Sequence, residues 1–574
     1  MKEKSSYFLS VAPSSLLETQ NSHFHYFLTL LVLCVASALL CRFRLLRRSI
    51  FSTNRRTSNT DKTNRLAEEN EQLPLHLPPS PPSFPLLGHL HHLFPSSALY
   101  KSFHHLATQY GPLVYLRLGT STLLLVSSSS MASEIFKAHD VAFASRPKFA
   151  YADKILYGPL SFINAPYGDY WRFLKKLCVT ELLGPRQVNR SCAIRTQELH
   201  SFLQRMIDHA KTSMVIDLGA ELVKLTNNVI CRTTMSTTQA GEVRELLKQS
   251  FELAGKLYIG QMLGPFKSLI LWLYGRRVTD LNNKFDQLLE KILKEHEQDK
   301  SDDYNEEINM KSGGEFTSYS STDDEIRGYG KDMMDILLEI HKDGNAPVRI
   351  TRGNIKAFFT DLIIAGTDSS SQTMQWVIAE LINHPNILKK AREEIEEVVG
   401  GTRLVEESDI PRLPYLQAVV KETLRLHPTG PVTTRVCCQS CKIQGYDIPE
   451  TTPVAVNLYS IMRDPDTWEE PDEFRPERFL GLGNAEDGKS VGFGSKGESL
   501  SFIPFGAGRR GCPGTLFALT LMNSVIAATI QCFDWKIGST KVDMQPGSGM
   551  SLAMAHPLKC LPVVVYDPFN VHSN

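Results

Sequence analysis

Cys512 lies in Ser501-Phe502-Ile503-Pro504-Phe505-Gly506-Ala507-Gly508-Arg509-Arg510-Gly511-Cys512-Pro513-Gly514, a glycine-rich basic stretch near the C-terminus. The thiolate is the form of cysteine that attacks and binds metals, and its pKa falls beside arginine and at a helix N-terminus. Arg509 and Arg510 precede the cysteine, and the apolar run Thr515 to Ile530 predicts a helix whose positive end faces the sulfur. Gly506, Gly508, Gly511 and Gly514 allow backbone N–H groups to approach without a Cβ in the way. The pattern predicts an ionised metal ligand. Gly506 to Gly511 also spells G-x-G-x-x-G, as does Gly492 to Gly497. A dinucleotide fingerprint needs a strand before it, a helix after it and an acid about twenty residues on. Cys512-Pro513 follows the first at once, and no apolar periodicity surrounds the second.

Three further groups carry chemical side chains. Ile355 to Leu381 predicts a central helix, apolar almost all round from Phe358 to Ile364 as in a buried helix. It contains Ala365-Gly366-Thr367-Asp368-Ser369-Ser370, poor helix material whose acid and hydroxyls suit proton transfer. An N-cap inside a broken helix is the plainer reading, but apolar periodicity continues to Leu381. Trp171 and Lys175 share a helix face at i, i+4, a pattern that a solvated basic face also produces. Glu422 and Arg425 share another at i, i+3, in a helix ending at Pro428. On a surface such a pair is worth under about 1 kcal/mol.

The spacing F-x-x-G-x-R-x-C-x-G, filled by Phe505, Gly508, Arg510, Cys512 and Gly514, resembles the haem-ligand loop of the cytochrome P450 superfamily. The central helix, the E-x-x-R pair and Pro476-Glu477-Arg478-Phe479 follow the family order, so the resemblance covers about residues 78 to 570. It implies a mainly α fold with small β-sheets, the cytochrome P450 fold, preceded by an N-terminal transmembrane helix. It implies haem b, with Cys512 as metal ligand in a loop shaped by Phe505, Gly508 and Gly514. Trp171, Lys175, Arg435 and Arg510 would meet the haem, with Lys175 standing where the family has arginine and so lacking the bidentate fork. Gly366 would leave room above the haem where the helix bulges, and Asp368 and Ser369 would relay protons during oxygen reduction. The family usually has threonine at the position of Ser369; serine keeps the hydroxyl on a less constrained rotamer. Glu422, Arg425 and Arg478 would form a buried structural triad.

The implied activity is a monooxygenase reaction on a hydrophobic small molecule, with electrons from NADPH through a flavoprotein reductase and cytochrome b5 as a second candidate partner. Arg172, Lys175, Lys176 and Arg509 are the residues expected to face an acidic reductase. Phe143-Ala144-Ser145-Arg146-Pro147 and Ala165-Pro166-Tyr167-Gly168-Asp169-Tyr170-Trp171 are similar to plant microsomal members that oxidise flavonoids or terpenoids. Pro431 to Thr434 and Ser548 to Leu552 are expected to border the substrate. A haem-thiolate isomerase or dehydratase, a membrane-anchored haem sensor and a Rossmann oxidoreductase are the rival readings. The acid–hydroxyl pair at Asp368 and Ser369 argues against the first, and catalytic turnover separates the second.

The remaining chain sets the context. Lys plus Arg and Asp plus Glu each number 62, so net charge points to no nucleic-acid partner. The 11 cysteines are odd in number and scattered, which suits a reducing compartment. Cys438 and Cys441 form a C-x-x-C without a second pair, read as incidental. Phe24 to Cys41 is apolar and free of fixed charge, near the length of about twenty residues that spans a bilayer. Arg42, Arg44, Arg47, Arg48, Arg55 and Arg56 follow it, which keeps that side cytoplasmic. Ala36-Ser37-Ala38 offers the competing signal-peptide reading, and the arginines favour an uncleaved anchor. The expected organisation is a luminal segment 1–23, an anchor 24–46, a linker 47–77, and a catalytic domain 78–574 with a proline hinge 78–85 and a surface insertion 300–330. The expected location is the endoplasmic reticulum membrane, single-pass, with the catalytic domain cytoplasmic. Strands are predicted at Leu113–Leu118 and Thr122–Val126, and helices onward to Trp272 and again over Leu281–Glu297.

Overall fold

A computed structural model describes residues 75–570 apart from 86, 94–97, 120, 148–156, 238, 263–266, 312–331, 481–499 and 550. The expected luminal segment, anchor and all but the end of the linker lie outside the described residues. The proline hinge is extended and pinned to the body: Pro79 O accepts from Tyr115 N at 2.8 Å, and Pro81 O bonds His89 Nε2 at 2.8 Å.

Helix α1 (Leu99–Tyr110) stops at Gly111, where φ is +100°. Strands β1 (Leu113–Leu118) and β2 (Ser121–Val126) then pair antiparallel, Leu113 opposite Val126. The chain continues through α2 (Asp169–Leu177), α3 (Cys192–Lys211), β3 (Ile216–Asp217), α4 (Leu218–Met235) and α5 (Ala240–Met262). Helix α6 (Lys267–Lys311) follows, unbroken between Trp272 and Leu281, and extends into the stretch expected to be an insertion. Residues 300–311 are therefore helix, and 312–330 lie outside the described residues. Helices α7 (Met333–Lys342), α8 (Arg352–Asn383), α9 (Pro385–Val399) and α10 (Pro414–Leu426) lead to β4 (Val432–Val436), β5 (Cys441–Ile443), β6 (Tyr446–Ile448) and β7 (Pro453–Asn457). Helix α11 (Thr515–Cys532), β8 (Phe533–Lys536) and β9 (Lys559–Val564) end the fold. The sheets are small, in the orders β1-β2-β7-β4, β3-β9-β8 and β5-β6.

Helix α8 is the axis of the core. A capping box starts it, with Thr351 Oγ1 accepting from Asn354 N at 3.2 Å and Asn354 Oδ1 from Thr351 N at 2.9 Å. It packs on α4 and α11 and stays α-helical through Ala365–Ser370, so the expected bulge is absent. The π turns lie at Glu134–Ala138 and Cys178–Leu182, the latter directly after α2. Helix α11 is apolar enough to cross a membrane by length and composition, but most of it is buried in this core.

Two buried carboxylates stitch the layers. Glu422 on α10 receives Arg425 Nε at 2.7 Å and Nη2 at 2.9 Å, Arg478 Nε at 3.0 Å and Arg475 N at 2.9 Å. Arg425 also donates to Met462 O, Pro471 O and Glu473 O, so Glu422, Arg425 and Arg478 form a buried clamp rather than a surface pair. Beside Arg478, Phe479 packs on Phe502 with ring centroids 5.0 Å apart, which carries the clamp to the start of the cysteine stretch. Asp361 on α8 accepts from Ser161 Oγ at 3.0 Å and from Ile163 N at 3.2 Å, holding the turn before α2.

Replacing Glu422 with alanine strands two guanidinium groups in the interior, and we expect a loss of about 3–5 kcal/mol of stability in denaturant unfolding. Burial raises Asp361 to about 7 from 3.8, against the pull of its hydrogen bonds. The folded state therefore keeps a proton that the unfolded chain releases, and this stabilisation is full below pH 3.8 and lost as pH rises through about 7. Urea midpoints of wild type should fall across that window relative to Asp361→Asn; parallel profiles would refute the assignment.

Candidate active site around Cys512

The cysteine loop is built by two glycines with positive φ, Gly506 at +71° and Gly508 at +69°. At Gly508 a Cβ would also stand 2.6 Å from Asp140 Oδ1 and 3.1 Å from Phe136 O, so only glycine lets this loop lie on the 136–140 segment. Cys512 N closes the loop on Phe505 O at 2.9 Å. Gly514 caps α11 directly after the exposed Cys512.

Arg509 and Arg510 do not serve the sulfur as expected. Arg509 pairs with Asp140 at 3.2 Å. Arg510 turns to backbone carbonyls, donating to Ala144 O at 2.6 Å, Ile163 O at 3.3 Å and Ala165 O, with its guanidinium 4.3 Å from the centre of the Trp171 ring. Burial consequently pushes the Cys512 thiol up, opposed by Gly514 N–H, Lys175 and the Thr515 hydroxyl. Metal binding is what would bring the thiolate form, because the bound ligand must be deprotonated.

Four cations surround this loop. Lys175 Nζ donates to Gly511 O at 2.6 Å, and burial lowers its pKa. Arg435 is 2% exposed and bonds only Thr433 Oγ1 at 2.7 Å and Thr434 O at 2.9 Å within its own strand. Arg146, from Phe143-Ala144-Ser145-Arg146-Pro147, reaches Thr434 O at 3.4 Å and leaves a buried Nε with no partner. Burial lowers the pKa of Arg435 well below the usual range and that of Arg510 to about 9, and Arg146 adds to both. None of the four is ion-paired to a carboxylate among the described residues. Buried, mutually repelling cations need an anion, and two carboxylates on one ligand fit them. Arg146 has no chemical spacing of its own in the sequence, and only its place in Phe143-Ala144-Ser145-Arg146-Pro147 points to it.

The face of α8 is also informative. Ala365 and Ser369, one turn apart, are exposed in a helix otherwise largely buried, so accessible space opens at that face. Ser369 Oγ donates to Ala365 O at 2.6 Å. Asp368 is half-buried, and burial raises its pKa. At Gly366 a Cβ would stand 2.7 Å from Ile230 Cδ1, the movable end of a side chain on α4. Leu552, expected beside the substrate, is buried and its carbonyl accepts from Trp376 Nε1 at 2.9 Å, which places it in the core. Lys175, expected on the reductase face, is withdrawn into the loop, whereas Lys176 is exposed and Arg172 pairs with Asp169.

A family model described as Cytochrome P450 matches residues 78–561. Among curated proteins, "Cytochrome P450 705A5" of Arabidopsis thaliana is 45% identical over 85% of this chain and 91% of its own length. "3,9-dihydroxypterocarpan 6A-monooxygenase" of Glycine max is 39% identical over 86% of this chain and 94% of its own. A solved zebra fish cytochrome P450, with progesterone, superposes with a TM-score of 0.64 at 25% identity, covering 81% of this chain and 99% of that one. Taken with the loop around Cys512, these matches make the chain a member of the cytochrome P450 family: a monooxygenase that carries haem b, takes electrons from a reductase and acts on a hydrophobic substrate.

Proposed function

We propose that the chain oxidises a plant specialised metabolite of the flavonoid or terpenoid class from the cytoplasmic face of the endoplasmic reticulum. The observation that carries the site assignment is the exposed Cys512 beside four cations, Arg435 buried and Arg146, Lys175 and Arg510 half-buried, without a carboxylate partner among the described residues. Cys512 would hold the haem iron through its thiolate. Arg146, Lys175 and Arg435 would offset the negative charge of its carboxylates, while Arg510 and Trp171 hold the loop and the 144–165 segment together. When bound, the haem supplies dioxygen activation and oxygen-atom transfer, with thiolate donation favouring O–O cleavage.

The chain's own residues supply protons and shape. Asp368, whose raised pKa keeps a proton available nearer neutrality, is the donor, and the Ser369 hydroxyl passes the proton on by rotating away from Ala365 O. Gly366 beside them leaves room at that helix face. Residues 24–46 act as anchor, 1–23 as a luminal segment and 47–77 as tether, followed by the hinge and the catalytic domain 78–574. Lys176, with Arg172 and Arg509, forms the docking face for the reductase and for cytochrome b5. The similarity to a pterocarpan monooxygenase supports a flavonoid-type substrate, and the same scaffold suits a terpenoid of comparable size.

The test is expression with a plant reductase and NADPH, flavonoid and terpenoid panels, and mass spectrometry of products. A product carrying one added oxygen is expected from one of the two panels; NADPH consumption without product from either would overturn the substrate reading. In the same assay Ser369→Ala should lower product formed per NADPH roughly tenfold or more, and Ser369→Thr should preserve it.

A further inference from the structure

Helix α8 carries Trp376 two turns beyond Ser369, and the indole is fully buried. Its Nε1 donates to Leu552 O at 2.9 Å. Leu552 N in turn donates to Thr429 O at 3.1 Å, so one residue of the 548–552 turn bonds both α8 and the segment after α10. That segment returns to the same indole. His427 ends α10 with its N–H on Thr423 O at 2.7 Å, and its imidazole lies on Trp376 with ring centroids 4.1 Å apart and planes 2° from parallel. Glu380, buried one turn further along α8, accepts from His427 Nε2 at 2.6 Å. Against the push of burial, hydrogen bonds from His384 and His427 hold the Glu380 carboxyl down at about 2, so it is an ionised acceptor and His427 Nε2 carries the hydrogen. Trp376, Leu552, Thr429 and His427 thus form a closed ring of contacts, and Glu380 fixes the imidazole within it.

The ring sits behind two stretches of accessible chain. His427 leads through Pro428–Pro431 into β4, where Pro431 O accepts from Tyr459 N at 3.1 Å and Val432 packs on the cluster around Trp376. Val432 to Thr434 are half-buried, and Ser548, Gly549 and Ser551 are exposed, Leu552 being the buried end of their turn. We propose that Trp376, His427 and Glu380 are positioning residues for the monooxygenase reaction, which set the spacing between residues 431–434 and 548–551 and thereby the orientation of a large hydrophobic ligand at the haem. The proposal rests on the reading that these two stretches border the substrate. Trp376 and Glu380, being buried, act through the segments they hold. A small ligand of the iron needs neither stretch, whereas one broad enough to span them depends on their spacing, and a misplacement of about 1 Å far from the chemistry is costly.

The test is spectral titration of the full haem-loaded chain with two probes: imidazole, which needs only the iron, and clotrimazole, an imidazole whose three aromatic rings need the space around it. Trp376→Phe keeps a ring for the stack and removes the bond to Leu552. Glu380→Leu frees the imidazole, and Glu380→Gln keeps an acceptor for it. Trp376→Phe and Glu380→Leu should each bind clotrimazole about tenfold more weakly than wild type, the size of one lost buried hydrogen bond, with imidazole affinity changed less than about twofold. Glu380→Gln should restore wild-type clotrimazole affinity. Unchanged clotrimazole affinity in both variants would overturn the proposal, as would an equal loss for both probes, which marks damage to the haem site. Should Trp376→Phe fail to load haem, the two Glu380 variants decide. Thr434→Trp and Ser551→Trp check the border reading separately: if both leave clotrimazole binding unchanged, that reading fails and the proposal with it.

Discussion

Positive charge wholly or partly buried without a compensating carboxylate among the described residues is the constraint around which this structure is arranged. Isolated charges in a protein interior cost several kcal/mol each, and the penalty grows when they repel one another. Arg146, Lys175, Arg435 and Arg510 gather from the segment before α2, from α2, from β4 and from the cysteine loop, with backbone carbonyls and one hydroxyl as their main partners. An arrangement of this kind is stable when a dianionic ligand joins it. The thiol of Cys512 beside it fits the haem that the family carries.

The surrounding fold fixes those positions with very little freedom. Arg510 ties the cysteine loop to the carbonyls of residues 144, 163 and 165, and Asp361 on α8 holds the same turn from the other side. The Glu422 clamp reaches the loop through Phe479 and Phe502. The central helix, the loop and the second clamp are therefore connected by hydrogen bonds and aromatic contacts rather than by the haem alone. Reactivity is assigned to this rigid frame, and substrate choice to accessible surface such as the Ala365–Ser369 face.

Local features were legible in the chain. The spacing around Cys512, the apolar stretch of α8 and the β1–β2 turn each depend on neighbours within a few residues, and each lies where the pattern placed it. The pairing of Glu422 with Arg425 needed only helical spacing, and that of Glu422 with Arg478 needed the family pattern as well. What escaped depends on tertiary neighbours. Nothing near Gly366 in the chain announces Ile230, which packs beside it from α4. Nothing near Arg509 and Arg510 announces Asp140 or the carbonyls that draw them away from the sulfur. Asp361 looked like one residue of an apolar run, and its partners lie two hundred positions away in sequence. The polarity of residues 300–311 suggested a loop, whereas helix continued from α6.

The most direct test of the central claim compares binding of haem with binding of its propionate dimethyl ester to the apoprotein, followed by the absorption change. Esterification keeps the iron and the macrocycle and removes the two negative charges. With the cations as proposed, the ester should bind at least about 30-fold more weakly, about 2 kcal/mol or more in total. In the Arg435→Leu variant the penalty for esterification should shrink. Equal affinity for the two ligands would contradict the account.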